Sequence, residues 1–382
     1  MKANHQVNIV KIDTILPHTN ADNLEIIKVG EYQVVSRKGQ FVIGSLGVYL
    51  QPDSVVPQTE AFRFIWGDYY AEPPMHGAVT VPEKKRRITV RRFRGEWSEG
   101  LLLPVSDFDE LVDSTLTRHF VESDHPVGKD VSELLGIIHY DPDKELRGDD
   151  QAAPKRKRRY PKTLRGWINF LLAKLSFRNR EKFLAGTDSL GIPSYDVNAL
   201  KNYPNTFQDG ELVSVTEKIH GSNARYVFID GVMYAGSKNY WKAQDSSCIW
   251  RKAIVANPWI RQWCESHPEY VLYGEVGASQ KGFDYGHKAD DPFFFVFDVR
   301  LPNGKWADEN TPEGLQALMS LQPYWVPELY KGPFDKETVK ALSTGPSTVM
   351  KAKHIREGVV VSAVARRAKL KVVSNTFLEK DK

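Results

Sequence analysis

The first 140 residues contain short β-forming runs that alternate with turn residues, and this pattern restricts the fold more than any other feature of the chain. The runs are VNIVKIDTIL, LEIIKVG, YQVVSRKG, FVIGSLGVYL and ITVRRFRG, with the turn segments HTNADN, KGQ and QPDS among them. Short strands at this spacing are typical of small barrels and sandwiches, so we expect an OB-like β-barrel over residues 1–140. SEGLLLPV is its expected closing strand, and DHPVGKDVSELLGI is expected to form a short exit helix.

The segment 141–185 interrupts this pattern. Its first part, DPDKELRGDDQAAPKRKRRY, is polar and charged, whereas residues 161–185 carry apolar residues at helical intervals. We therefore predict a basic linker with a helix. Residues 155–182 hold eleven Lys or Arg against one Glu, a density that either attracts phosphate groups or forms a solvated linker.

Residues 186–382 mix strand and helix patterns, which predicts a second domain and an α+β fold class. The expected strands are GELVSVTEKIHG, ARYVFIDGVMYAGS, YVLYGEVGA, PFFFVFDVRL, EGVVVSAV and AKLKVVSN. The expected helices are CIWRKAIVANPWIRQWCESH and ENTPEGLQALMSL. Helices and strands thus follow one another without any internal repeat.

Composition excludes several classes of protein. The net charge of +4 is too small to argue for nucleic-acid binding by the whole chain. The two cysteines, Cys248 and Cys264, have neither metal-site spacing nor a disulfide framework, which is typical of a reducing compartment. No apolar run approaches the ~18 residues of a membrane span, and the N-terminus lacks a secretory pattern. We expect a soluble, cytoplasmic protein.

The segment TEKIHGSNARYVF, residues 216–228, carries polar residues that a structural strand does not require. Side chains alternate in an extended segment, so Lys218 and His220 share one face and Glu217 lies on the other. Gly221 ends the alternation and allows close approach of a ligand to the backbone. A lysine amine becomes a nucleophile when burial or neighbouring cations lower its pKa. The alternative is an exposed strand lysine without a catalytic role.

Two later segments supply groups that suit a phosphate ligand. EGVVV places Glu357 at the start of an apolar strand, and AKLKVV places Lys369 and Lys371 on one face of another. Two neighbouring lysines repel each other unless an anionic group lies between them, and a triphosphate is such a group. A solvated strand face is the structural alternative.

Two more segments suit a nucleoside. YGEVG isolates Glu275 between glycines, where a carboxylate can reach ribose hydroxyls, although a surface turn is the alternative. FFFVFD places Phe295 and Phe297 on one face of a strand, where one ring can stack on a purine. Core packing is the alternative for these rings.

Taken in order, these motifs resemble the covalent nucleotidyltransferase superfamily of ATP-dependent RNA and DNA ligases and mRNA capping enzymes. The series is K-x-x-G, G-S-K, Y-G-E, aromatic-x-F-D, E-G-V-V-V and K-x-K, and it covers residues from about 186 to 375. The resemblance implies a ligase adenylation domain built on antiparallel sheets with flanking helices. We expect the domains to be 1–140, 141–185 and 186–382.

The order of domains narrows the resemblance to one branch. DNA ligases and capping enzymes carry an OB domain after the K-x-K strand, but only eleven residues follow Lys371 here. The chain is similar to RNA ligases with an N-terminal OB module and no C-terminal domain, and TEKIHGSN has the histidine typical of that branch. We therefore expect an ATP-dependent RNA ligase that seals 5′-phosphate and 3′-hydroxyl ends through lysyl-AMP and RNA-adenylate, in nick sealing or RNA repair.

The resemblance also implies the role of each residue. Lys218 is the expected nucleophile. Lys369 and Lys371 are expected to bind the phosphates and, together with a bound divalent cation, to favour the neutral form of Lys218. Glu357 is expected to hold Mg²⁺ or Mn²⁺, directly or through water. The expected nucleotide-binding residues are Glu217 (through its carbonyl oxygen), His220, Gly221, Asn223, Arg225, Lys238, Glu275, one of Phe295 and Phe297, and Glu357.

Two expectations concern the RNA. GSKNYW has Lys238 where many ligases have arginine, and a lysine cannot form the bidentate contact that arginine makes with a phosphate. Lys238 is still expected to contact the ribose or the phosphate of the RNA end. KKRRITVRRFRGEW alternates cations with apolar residues, so Arg91, Arg92 and Arg94 are expected to contact RNA.

Two other functions remain open at this stage. A GTP-using capping guanylyltransferase is disfavoured by the expected lack of a C-terminal domain. A non-catalytic RNA-binding protein with a degenerate ligase domain is disfavoured by the intact set of Lys218, Glu357, Lys369 and Lys371. The expected partners are therefore ATP and RNA, either a nicked duplex or free RNA ends, and the protein is expected to be a monomer.

Overall fold

The structure, a computed structural model, describes residues 6–67, 81–108, 127–140, 190–278, 283, 285–288 and 290–380. These residues divide into two compact units. Of the described residues, 6–67, 81–108, 127–140, 199–206 and 375–380 form the barrel unit, and 190–198, 207–278, 283, 285–288 and 290–374 form the catalytic unit. The basic linker and the helix predicted over 141–185 lie outside the described residues, so the domain limits drawn there remain predictions.

The barrel unit is built from short antiparallel strands. Its described strands are β1 (Val7–Lys11), β2 (Thr14–Pro17), β3 (Leu24–Val29), β4 (Tyr32–Arg37), β5 (Leu46–Leu50), β6 (Ser54–Val55), β7 (Arg91–Phe93), β8 (Glu96–Ser98), β9 (Leu101–Pro104) and β10 (Ile138–His139). They pair in the orders β1-β5-β9, β2-β3-β4, β7-β8 and β6-β10. A single turn of helix, α1 (Arg63–Trp66), and 3₁₀ turns at Glu60–Phe62, Glu83–Arg86 and Val105–Phe108 connect them.

Alternating apolar residues of these strands form two buried clusters. One contains Ile9, Val48 and Leu103, and the other contains Ile27 and Val34. The exit helix predicted from DHPVGKDVSELLGI is wrong for its described part, because residues 127–137 form turns. Gly128 and Gly136 there adopt φ of 86° and 63°, which a right-handed helix does not accommodate.

The catalytic unit contains two antiparallel sheets. Its strands are β11 (Asn198–Ala199), β12 (Leu212–Lys218), β13 (Ser222–Ile229), β14 (Val232–Ser237), β15 (Val271–Gly277), β16 (Phe293–Arg300), β17 (Glu328–Pro333), β18 (Gly358–Ala363) and β19 (Lys369–Val373). The first sheet has the order β11-β19-β18-β12-β17, and the chain leaves the unit at the end of β11. The second sheet has the order β14-β13-β15-β16.

The two predicted helical segments correspond to the first three helices of the following set, and the last two helices were not predicted. The helices are α2 (Ile249–Ala256), α3 (Pro258–Ser266), α4 (Pro312–Leu321) and α5 (Lys336–Leu342), followed by α6 (Asn375–Lys380), which belongs to the barrel unit. Helices α2 and α3 are separate because Pro258 lacks the N–H that would continue one helix. The side chains of Thr311 and Asp335 cap α4 and α5.

Buried apolar side chains of α2, α3 and α4 pack with those of the second sheet in one core cluster. None of the helices in the described part of the chain is long and apolar enough to cross a membrane.

Candidate active site

Lys218 is the last residue of β12, at the point where the chain passes from the first sheet to the second. Burial along β12 alternates, so Glu217 is buried and Lys218 is half-buried, as the period of two predicts. Lys218 pairs with Gly358 of β18, and Gly358 pairs with Val373 of β19. Directly paired residues share a face, so Lys369 and Lys371 lie on the same face of the sheet as Lys218.

The amine of Lys218 is paired with a carboxylate. Its Nζ lies 2.5 Å from Oε1 of Glu357, which immediately precedes β18. Burial would lower the pKa of Lys218, but attraction to Glu357 and Glu275 outweighs it and raises the pKa. Burial would also raise the pKa of Glu357, but Lys218 and His220 lower it to about 2. Glu357 thus opposes the expected lowering of the Lys218 pKa, and the expectation that Lys369, Lys371 and a divalent cation together favour the neutral amine stays a prediction.

His220 completes this ion-pair group. Its Nδ1 lies 3.3 Å from Oε2 of Glu357, so both carboxylate oxygens have nitrogen neighbours. The backbone N–H of His220 donates to the Tyr285 hydroxyl at 2.8 Å. The ring of Phe283 lies 4.5 Å from the imidazole between centroids. These contacts hold His220 in place two positions after Lys218.

The Glu217 side chain holds a neighbouring loop. Its carboxylate accepts hydrogen bonds from the Ser347 hydroxyl at 2.5 Å and from the backbone N–H and hydroxyl of Thr348, both at 2.7 Å. Both oxygens of this carboxylate thus accept hydrogen bonds from the protein. The group of Glu217 that is predicted to bind a ligand is its backbone carbonyl oxygen.

Gly221, Asn223 and Glu275 meet where β13 pairs with β15. Asn223 lies directly opposite Glu275, so their side chains share a face of the second sheet. A Cβ on Gly221 would lie 2.6 Å from the carbonyl oxygen of Val276 and 3.1 Å from Cγ of Glu275. The close approach that requires glycine at position 221 is therefore to the neighbouring strand, and it positions Glu275.

Arg225 is buried in the unit's interior, with 1% of its surface exposed. Its guanidinium donates to the carbonyl oxygens of Ser237 and Ile192, at 3.1 and 2.6 Å, and lies 4.4 Å from the centre of the Trp241 ring. These contacts hold the Arg225 side chain inside the unit, and its direct contact with the nucleotide stays a prediction.

Phe295 and Phe297 lie half-buried on β16. Phe295 is directly opposite Glu275, and the Phe297 ring packs 4.9 Å from that of Tyr195. A register shift between Tyr273 and Gly274 adds a residue to β16 here, so the consecutive residues Phe297 and Asp298 both reach Tyr195. Both rings therefore border the face that carries Glu275.

Asp298 binds the first lysine of the K-x-K pair. Its Oδ2 accepts from Lys369 Nζ at 2.7 Å, from Arg367 at 2.6 Å and from the Tyr195 hydroxyl at 2.6 Å. Burial would raise the pKa of Asp298, but Lys369 and Arg367 lower it. The pKa of Lys369 is lowered by burial and by Arg367, although Asp298 opposes both.

The second lysine of the pair, Lys371, has no ion-pair partner among the described residues. Its pKa is lowered by burial and by the charges of Lys218 and Lys238, against attraction to Asp196 and Glu357. Lys238 is paired with Asp196, whose Oδ2 lies 2.5 Å from Nζ. The structure thus brings the four predicted lysines into one group together with acidic residues.

Comparison with known proteins agrees with this geometry. Residues 211–374 match the model of the RNA ligase family. This part of the chain therefore resembles an RNA ligase domain. Residues 6–105 match an OB-fold domain family, which confirms the predicted N-terminal OB module. No curated protein sequence matches the chain.

Solved structures with the same fold include an RNA ligase from Naegleria gruberi with PPi, at a TM-score of 0.71, 21% identity and 100% coverage of both chains. A point variant of that ligase with ATP and Mn has a TM-score of 0.69 at 21% identity, with 99% of each chain covered. Another variant, with AMP and Mn, has a TM-score of 0.68 at 22% identity, with 99% of this chain and 100% of that chain covered. The predicted fold class, an OB barrel followed by a ligase domain, is confirmed.

Several residues around Lys218 have no counterpart in the sequence-based predictions. Asp298 belongs to the aromatic-x-F-D motif, which could have identified it, whereas Asp196 and Tyr195 precede the first motif and Arg367 precedes the K-x-K pair without any periodic signal. No cluster of three or more His, Cys, Asp or Glu suited to a metal occurs in the described ranges. A cation at Glu357 would therefore take most of its ligands from water and substrate oxygens.

The three arginines predicted to bind RNA lie in the barrel unit, on or after β7, and all are exposed. The Arg92 guanidinium lies 4.1 Å from the centre of the Trp97 ring. Arg94 adopts φ of 45° in the turn between β7 and β8, where its carbonyl oxygen accepts from Asn20. The β7–β8 hairpin therefore presents cations and an aromatic ring together.

Proposed function

We propose that this chain is an ATP-dependent RNA ligase that joins 5′-phosphate and 3′-hydroxyl ends in nick sealing or RNA repair. The observation that carries the proposal is the position of the Lys218 amine, 2.5 Å from Glu357 and on the same sheet face as Lys369 and Lys371. An amine beside several further cations is the arrangement that an attack on a polyphosphate requires. The RNA ligase family of residues 211–374 supports the same reaction.

The reaction has three steps. The neutral amine of Lys218 attacks the α-phosphorus of ATP, so a nitrogen–phosphorus bond forms and pyrophosphate leaves. A 5′-phosphate oxygen of RNA then attacks the lysyl-AMP and takes the AMP, which restores the lysine. Finally a 3′-hydroxyl oxygen attacks the activated 5′-phosphorus, loses its proton and expels AMP. Positioning and charge neutralisation supply most of the catalysis.

The lysines and Glu357 have separate roles in this reaction. Lys218 must lose a proton and separate from Glu357 before it attacks, since the pair raises its pKa. Lys371, which has no ion-pair partner among the described residues, binds phosphate together with Lys369. A divalent cation, Mg²⁺ or Mn²⁺, held at Glu357 would neutralise phosphate charge and weaken the hold of this carboxylate on Lys218. Structures of the Naegleria ligase with ATP and Mn support this choice of ligands.

The nucleoside is assigned to the second sheet. Glu275 binds the ribose hydroxyls, and one of Phe295 and Phe297 stacks on adenine. Asn223 supports this site, because its side-chain oxygen is buried and has no hydrogen-bond partner among the described residues. A buried acceptor without a partner is costly unless a ligand supplies the donor. The Glu217 carbonyl oxygen is assigned to the exocyclic amine of adenine.

Labelled nucleotides test the proposal directly. With α-labelled ATP and a divalent cation, the protein should retain label on Lys218 in a form that is stable to alkali and labile to acid, as a nitrogen–phosphorus bond is, and unlabelled pyrophosphate should remove it. Label retained only from GTP would instead indicate a capping guanylyltransferase. No label from either nucleotide, in a folded protein, would indicate a non-catalytic RNA-binding protein and would refute the ligase.

The barrel unit is assigned to RNA binding through its β7–β8 hairpin. Exposed arginines beside an aromatic ring are the groups that track a phosphate backbone and stack on bases. We expect the double substitution Arg91→Ser/Arg94→Ser to weaken binding of nicked RNA by roughly tenfold at low salt and to leave lysyl-AMP formation unchanged. Equal binding by the variant and the parent across a salt titration would remove this hairpin from the RNA site.

The protein is further assigned to a monomeric state in a reducing, cytoplasmic compartment. The assignment to a reducing compartment is supported by the cysteines, since Cys248 and Cys264 are both free thiols and burial raises the pKa of Cys264. Light scattering on the purified protein tests the first assignment, and a dimer mass at micromolar concentration would contradict it.

A further inference from the structure

We infer that Asp196 is a positioning residue that competes with substrate phosphate for Lys238, and so weakens phosphate binding and promotes phosphate release. The inference rests on the proposed function, since it needs a phosphate ligand at the lysine group. It concerns a residue that none of the sequence motifs includes.

The Asp196 carboxylate is held from two directions. Its Oδ2 lies 2.5 Å from Lys238 Nζ, and its Oδ1 accepts the backbone N–H of Val197 at 2.9 Å. The preceding residue, Tyr195, donates its hydroxyl to Asp298 and packs its ring on Phe297. The segment that carries Asp196 is thus anchored to β16, so this carboxylate occupies a fixed position beside the lysines.

Asp196 acts on more than one lysine of the site. Its charge contributes to raising the pKa of both Lys218 and Lys371, and it forms the ion pair with Lys238. Asp196 therefore belongs to the same electrostatic group as the nucleophile. A polyphosphate that approaches these lysines encounters a negative charge that is already in place.

Of the three paired lysines of the site, Lys238 is the most exposed. Its side chain is 37% exposed, compared with 23% for Lys218 and 22% for Lys369. A lysine is a flexible point charge with three donors, so it can leave a carboxylate for a phosphate without the geometric constraint of a guanidinium. This flexibility gives a reason for lysine at the position where many ligases have arginine.

The exchange has a predictable consequence for affinity. A phosphate bound to Lys238 must displace Asp196, and the returning carboxylate helps to expel the phosphate afterwards. The phosphate group that contacts Lys238 belongs either to the pyrophosphate part of ATP or to the 5′ end of RNA. Removing the charge of Asp196 should tighten binding of whichever phosphate contacts Lys238.

Binding titrations test this inference without any catalytic turnover. The probes are pyrophosphate with Mg²⁺, a 5′-phosphorylated RNA oligonucleotide and its 5′-hydroxyl twin. The proteins are the parent, Asp196→Asn, Lys238→Gln and the double variant. Glu309→Gln is the matched control, because it removes the partner of an exposed lysine, Lys331, at 3.6 Å in the same unit. Asp196→Ser repeats the test if the asparagine variant proves unfolded.

We expect Asp196→Asn to bind one phosphate probe about threefold to tenfold more tightly, as removal of one partly screened charge predicts. Binding of the 5′-hydroxyl RNA should not change, and most of the gain should be lost when Lys238→Gln is added, with only the weaker effect of the Asp196 charge on Lys218 and Lys371 remaining. Equal or weaker binding of both phosphate probes would overturn the inference, and so would a gain of undiminished size without Lys238. Lysyl-AMP formation is measured separately, so its absence would refute the ligase while leaving the Asp196 result intact.

Discussion

Lys218→Ala should incorporate no AMP from ATP yet should still join RNA that already carries a 5′-adenylate. The covalent intermediate needs the amine, so we expect lysyl-AMP formation to fall by at least about 10³-fold. The final step needs only the 3′-hydroxyl, the activated phosphate and the remaining cations, and these include Lys369 and Lys371. Gel assays of protein labelling and of adenylated-RNA joining measure the two activities separately.

Two matched variants make the Lys218→Ala result specific. Lys331→Ala removes an exposed lysine of the same unit that pairs with Glu309, and it should label normally. Lys218→Met keeps the length of the side chain and should reproduce the loss of labelling. A folded Lys218→Ala protein that retained label would place the nucleophile elsewhere. One that joined no adenylated RNA at all would show that Lys218 also serves the final step.

The sequence predicts the local geometry of the site well, because that geometry follows from strand periodicity. Alternation along β12 places Lys218 and Glu217 on opposite faces of the sheet, and the structure shows the same alternation of burial. The K-x-K spacing places Lys369 and Lys371 on one face for the same reason. Both predictions need only the period of two, which any extended segment has.

Contacts between distant segments are not predictable in this way. Tyr195 and Asp298 are 103 residues apart, and Lys238 and Asp196 are 42 residues apart. No local sequence pattern indicates such a long-range contact, since each partner alone resembles an ordinary polar residue. Arg225 shows the same limit, because its position in the nucleophile motif suggests a ligand contact, whereas a distant segment around Ile192 buries it.

The pKa of Lys218 depends on one of these long-range contacts. Counting cations in the sequence suggests a lowered pKa, but Glu357 is brought 2.5 Å from the amine by the pairing of β12 with β18. The nearest charge dominates because Coulomb attraction falls with distance and with solvent screening. In the proposed reaction, release of Lys218 from Glu357 is therefore part of the adenylation step.

Asp298→Asn should be the most damaging substitution outside the nucleophile. One oxygen of Asp298 accepts from Lys369, Arg367 and Tyr195, and only 3% of its side chain is exposed. The asparagine amide can take two orientations. With its NH₂ group at the position of this oxygen, it would face three hydrogen-bond donors. With its neutral carbonyl oxygen there, Lys369 and Arg367 would lose their counter-charge. Lys369 would lose the contact that directs it towards the phosphates, so we expect RNA sealing to fall by roughly 10²-fold.

The same substitution should lower the free energy of unfolding by about 2–3 kcal/mol, less than a fully buried pair would give because Arg367 is partly exposed. The pKa of Asp298 is lowered in the folded protein, so its contribution is present above the unfolded pKa of ~3.9 and is lost as the pH falls through the lower folded value. The difference in stability between parent and variant, measured by denaturant unfolding, should therefore be constant near neutral pH and should shrink below about pH 4. Glu211→Gln, which breaks the exposed pair with Arg366, is the matched control and should show neither the loss of stability nor the loss of sealing. An Asp298→Asn protein with the stability and sealing rate of the parent would show that Lys369 is positioned by other groups.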